Sequence, residues 1–129
     1  MVVSNHPALG FAANTLALVG IGFGVNALLR PAHALSFFEW EMPAPPAEKK
    51  LVEGLLYVYG VRDIFWGLAF YIANTFGTRK STGWTFVAGS LVAFADGAIC
   101  YSYGKGEWGH WSYAPMMTAL GAAFLGLFD

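Results

Sequence analysis

The chain has 129 residues, of which 57% are hydrophobic and 12% charged, with a net charge of -1 and a mean hydropathy of +0.51. Soluble domains carry roughly 25% charged residues, so this chain has too few to clothe a surface in water, and lipid is the expected solvent. The near-neutral balance excludes nucleic acid as a partner held by bulk electrostatics, and a single cysteine, Cys100, excludes an internal disulfide.

The length fits one domain. No Lys or Arg precedes the first apolar run, which is also too long for the core of a cleaved signal, so the run is expected to stay as a span. It covers residues 8–29 without a charge, enough at about 1.5 Å per residue to cross a hydrocarbon core of roughly 30 Å. Pro7 suits a first helical turn, and Arg30 with Pro31 makes a charged stop. Gly20 and Gly24 form a small-xxx-small pair that would admit a neighbouring helix.

Residues 30–50 mix Phe37, Phe38 and Trp40 with His33, Glu39 and Glu41, the composition of a strip at headgroup level. Pro43, Pro45 and Pro46 exclude a continuous helix into the next span, so this interfacial loop of about 20 residues is expected to cap the domain. Further spans are expected at 51–76, at 82–103 and, a turn short, at 112–128. The turn FGTRKSTG makes the second and third spans antiparallel neighbours. The expected fold is therefore all-α, an integral membrane four-helix bundle. Loops one and three carry four Lys or Arg (Arg30, Lys49, Lys50, Lys105) against two (Arg79, Lys80) on the other side, which favours cytoplasmic loops.

The second span, LVEGLLYVYGVRDIFWGLAFYIANTF, carries Glu53, Arg62 and Asp63, and the third carries Asp96. An isolated charge in hydrocarbon costs on the order of 2.5 to 3.5 kcal/mol or more, so these groups need partners. Measured from the face of loops one and three, Glu53 lies within about one turn, Asn26 roughly 5 Å deep, Asp96 roughly 10 Å and the Arg62/Asp63 pair roughly 18 Å. Polar groups thus gather in one half of the bundle, as around a cavity. Gly60, Asp63 and Gly67 share one face of their helix, and Gly89, Ala93, Asp96 and Cys100 share one of theirs. Arg62 points about 100° away from Asp63, leaving Asp96 as an alternative partner. A buried ion pair that only fixes helix register is the competing structural explanation, and plain solvation at the interface is the stronger one for Glu53.

The third loop, GKGEWGHWSYAP, sets Lys105, Glu107 and His110 within six positions, a set capable of proton transfer. Trp108, Trp111 and Tyr113 there are also what an aromatic belt at the membrane surface requires. His6, His33 and His110 are scattered without metal-ligand spacing, so no metal is expected. No glycine pattern of a phosphate or dinucleotide loop occurs, and no serine elbow.

GVNALLRPAHALSFFE, GVRDIFWGLA, AFADG and GKGEWGHWSYAP, in this order, resemble the small integral membrane proteins of domain of unknown function family 4267, frequent in fungi. The likeness covers nearly the whole chain and implies a four-helix membrane domain with relatives among secondary-metabolism genes. Asn26, Arg30, Arg62, Asp63, Asp96, Lys105, Glu107, Trp108 and His110 carry over as its motif residues. Gly109 departs from the Asn that the resemblance implies.

Read as chemistry, these residues suggest a cofactor-free, membrane-embedded acid/base enzyme acting on a lipophilic small molecule, an isomerase, cyclase or epoxide-opening hydrolase, in the endoplasmic reticulum or another endomembrane. Asp63 and Asp96 would be the acid/base pair, Arg62 would orient them, and Glu107 and His110 would exchange protons at the mouth. Asn26, Glu53, Tyr57, Tyr59, Trp66 and Trp108 would line the substrate. Two alternatives are a proton-coupled transporter, which with four spans requires a homo-oligomer, and a non-catalytic scaffold. A scaffold should show Arg62 satisfied by Asp63 with no cavity, and an enzyme one closed, asymmetric cavity on the side of loops one and three.

Overall fold

The computed structural model describes residues 2–129 and is all-α, with no strand among the described residues. Three helices are long and apolar enough to cross a membrane: α1 (Pro7–Leu29), α3 (Pro46–Phe76) and α4 (Arg79–Ser102). Between and after them lie α2 (Pro31–Ser36), α5 (Trp108–Trp111) and α6 (Ala114–Phe124).

Local chemistry sets the ends. The His6 imidazole accepts from the Ala8 amide at 3.1 Å, and Pro7 occupies the first turn, where no amide hydrogen is needed. Pro46 opens α3 in the same way, so this helix begins five residues before the expected position 51 and the interfacial loop is correspondingly shorter. A reciprocal cap between Thr78 and Ser81 starts α4 two residues after α3 ends, and the Thr82 hydroxyl donates back to the Ala73 carbonyl at 2.8 Å. α3 and α4 are therefore antiparallel neighbours.

Packing organises the helices as two glycine-joined pairs. In the first, a Cβ at Gly24 would lie 2.5 Å from the Gly60 carbonyl, and one at Gly67 would lie 2.6 Å from the Ala17 carbonyl, so α1 and α3 touch backbone to backbone. In the second, Gly83 of α4 and Gly121 of α6 face one another in the same reciprocal way. Below the middle of the molecule the pairs close on a core of Ala13, Ala17, Phe70, Phe86, Met117, Leu120 and Phe124. There the Phe70 and Phe86 rings stack at 4.3 Å. Ser4 and Asp129 join the two ends of the chain, the carboxylate accepting from the Ser4 amide at 2.8 Å and its hydroxyl at 2.7 Å.

The fourth expected span, 112–128, is corrected: α6 has 11 residues, and at about 1.5 Å per residue it covers roughly half a hydrocarbon core. Pro115 sits in its first turn, and Gly126 turns the chain at a φ of 80° beyond its end. The third loop folds back along α4. Trp111 lies in a notch left by Gly97, where any Cβ would collide with its indole ring, and its Nε1 donates to the Phe94 carbonyl at 3.1 Å. Trp111 is thus packed against α4.

Candidate functional site

Where the two pairs diverge above the core they enclose a cavity of about 410 Å³. Each long helix gives it one stretch: Leu16, Val19, Gly20 and Phe23 from α1, Tyr59 through Phe70 from α3, and Gly89 through Asp96 from α4. Tyr113, Met116 and Met117 from the start of α6 complete the wall, and Ala34, Phe37, Phe38, Gly109 and His110 form the roof. The volume lies within the roughly 300–1,000 Å³ range of small-molecule sites.

The roof is the expected cap. α2 ends in a turn in which Glu39 takes a φ of 59°, unusual for a residue with a side chain. This directs Phe38 inward, its ring 5.1 Å from His110 and 5.2 Å from Tyr59. The absence of a side chain at Gly106 and Gly109 lets the third loop meet the Phe38 and Phe37 carbonyls directly. Any side chain at position 109 would need this contact to open, since its Cβ would lie 2.6 Å from the Phe37 carbonyl oxygen.

The polar centre spans the seam between α3 and α4. Arg62 forms a two-pronged ion pair with Asp96, Nη2 to Oδ2 at 2.5 Å and Nη1 to Oδ1 at 3.3 Å. Its guanidinium carbon lies 4.6 Å from the centre of the Tyr59 ring, a cation–π contact, while its Nε is buried without a hydrogen-bond partner among the described residues. Asp63 takes part in no salt bridge among the described residues and lines the same cavity. His110 is 5% exposed, its Nδ1 3.3 Å from the Tyr113 hydroxyl. Burial holds its imidazole below the ordinary value of 6.5.

Of the residues proposed from sequence, the cavity brings together Arg62, Asp63, Asp96, His110, Tyr59 and Trp66. The others lie elsewhere. Glu53 sits 3.9 Å from Lys49 on the outside of α3, Tyr57 and Trp108 are exposed, and Glu107 is half-buried outside the cavity lining. Asn26 faces an outer groove with Phe23 and Phe37, its Oδ1 3.1 Å from His33 Nδ1 and its Nδ2 buried without a partner. The lining also contains Phe38, Tyr113 and Met117, which the sequence reading gave no role in a site. Only Tyr113 carried a usable signal, its spacing of three from His110. Among the described residues no three His, Cys, Asp or Glu side chains gather as a metal site.

Three membrane-length apolar helices around a cavity with a bridged charge pair define an α-helical integral membrane protein. The chain belongs to the domain of unknown function family (DUF4267), whose model matches residues 17–124. No curated protein and no solved structure matches it.

Proposed function

We propose that this protein is a membrane-embedded acid/base enzyme that rearranges or hydrates a lipophilic small molecule. The observation that carries this reading is the division of labour among the half-buried charges: Arg62 is committed to Asp96, while Asp63 has no salt bridge among the described residues and borders the same apolar cavity. A pair serving only to fix helix register would not need a second carboxylate beside an unfilled space.

In an epoxide opening, Asp96, oriented by Arg62, accepts a proton from water as the water oxygen bonds to a ring carbon. The ring carbon–oxygen bond breaks and Asp63 delivers a proton to the departing oxygen. A diol results, and a proton passed from Asp96 to Asp63 resets the site. In an isomerisation the same groups would remove a proton at one carbon and return one at another. Tyr59 and Trp66 flank the reacting group, and His110 with Tyr113 links the centre to the roof.

In the membrane, α6 would act as a short fourth span of a bundle beneath an interfacial α5, in an endomembrane where lipophilic intermediates partition. Purified protein in vesicles, given a panel of lipophilic epoxides in heavy-oxygen water and of alkenes in heavy water, should yield labelled diol or deuterated isomer by mass spectrometry. Asp96→Asn and Asp63→Asn should each abolish the label. A product formed equally by both variants would remove the carboxylates from the reaction.

A further inference from the structure

The helices follow one another around the cavity as α1, α3, α4 and α6, so the α3/α4 seam with its ion pair lies opposite the α1/α6 seam. On that far side the lining residues are apolar and open to the outside: Val19 is 47% exposed, Phe23 45% and Met116 52%. Three other directions are shut. Phe38 and α5 close the roof, the Phe70–Phe86 stack closes the floor, and Gly24 against Gly60 closes the α1/α3 seam. Val19 is about 15 Å from the end of α1, so the gap is at the depth of acyl chains, not of water.

We infer that the cavity opens sideways into the bilayer through a window between α1 and α6, framed by Val19, Phe23 and Met116, and that its ligand is a bilayer-dissolved amphiphile. Its apolar chain lies in the window and its polar group meets the Arg62–Asp96 wall opposite. The window stands on geometry alone, whereas the identification of its occupant with a substrate rests on the acid/base reading. An apolar mouth facing a charged wall selects molecules with one polar end, because burying a second polar group among Val19, Phe23 and Met116 would leave it without a partner.

The test uses the intact protein in phosphatidylcholine vesicles doped with a long-chain alcohol that carries a photoreactive diazirine near its hydroxyl end. After photolysis, peptide mass spectrometry should find adducts at Met117, Phe70 or Ala93, which are 6%, 5% and 4% exposed and cannot be reached from the outer surface. Met116→Trp should remove these interior adducts while sparing those on the outward-facing Leu91 and Val58. Val19→Trp, from the opposite jamb, should do the same and serves if the first variant fails gel filtration. Adducts confined to outer residues, or interior adducts surviving both substitutions, would overturn the window. Interior labelling without turnover of any lipophilic epoxide or alkene would keep the window and remove the acid/base reading; turnover without interior labelling would do the reverse.

Discussion

Arg62 and Asp96 depend on one another unequally from Asp63. Replacing Asp96 by Asn keeps shape and a hydrogen-bonding oxygen but leaves the Arg62 cation without its counter-charge, so turnover should be lost and the melting temperature should fall modestly. Arg62→Leu strands the Asp96 carboxylate and should cost about 1 to 2 kcal/mol of stability, less than for a fully buried pair because the Arg62 side chain is 37% exposed, read as a lower melting temperature in detergent. Combining it with Asp96→Leu should recover most of that loss, since the uncompensated charge goes with it. His110 makes a separate case. Its imidazole is held below 6.5 by burial, so as pH falls through that value the unfolded chain binds a proton that the folded chain refuses. Stability attributable to His110 is therefore full above that value and declines below it. The melting temperature should drop between pH 7.5 and 5.5 by less in His110→Asn than in the parent; an equal drop would assign the acid sensitivity to other groups.

At the level of helices, closeness without side chains does the organising. Gly24→Leu should separate α1 from α3, because even its Cβ would lie 2.5 Å from the Gly60 carbonyl and 2.6 Å from Ile64. The expected result is loss of a monodisperse peak on gel filtration, whereas Gly22→Leu, with open space around it, should elute as the parent does. The spacing of Gly20, Gly24, Gly60 and Gly67 was legible because small residues at helical periods have one main use in lipid. The long spans were legible for the same kind of reason, since length and hydropathy suffice. α6 was not. Its run 112–128 is apolar enough to read as a span, and nothing local to it reveals that Trp111 docks in the Gly97 notch on another helix. The polar centre was half legible: charges in hydrocarbon announce themselves and the angle between Arg62 and Asp63 pointed to Asp96. Glu53, Tyr57 and Trp108 were misplaced because composition gives depth along a helix far better than direction around it.

Taken whole, the molecule is two rigid pairs closed at one end by aromatic packing and held apart at the other, with an ion pair at the back of the gap. Unfilled space costs packing energy, about 24 cal/mol per Å³ in core truncation series, so a chain selected only to hold its shape gains by filling it. Ala93 sits on the cavity wall, buried by its neighbours, and a longer aliphatic side chain there would project into the void. Ala93→Leu should raise the melting temperature of the ligand-free protein, corresponding to about 1 to 2 kcal/mol if the added volume is accommodated without strain. The same variant should lose the thermal shift that a lipophilic ligand confers on the parent, because stabilisation by a ligand scales with its occupancy of the folded state. Higher stability with lost ligand response would mark the void as maintained for an occupant. A variant that melts lower and still responds to ligand would mean that the space is taken up by motion of the helices, and that the two pairs are not rigid across the gap.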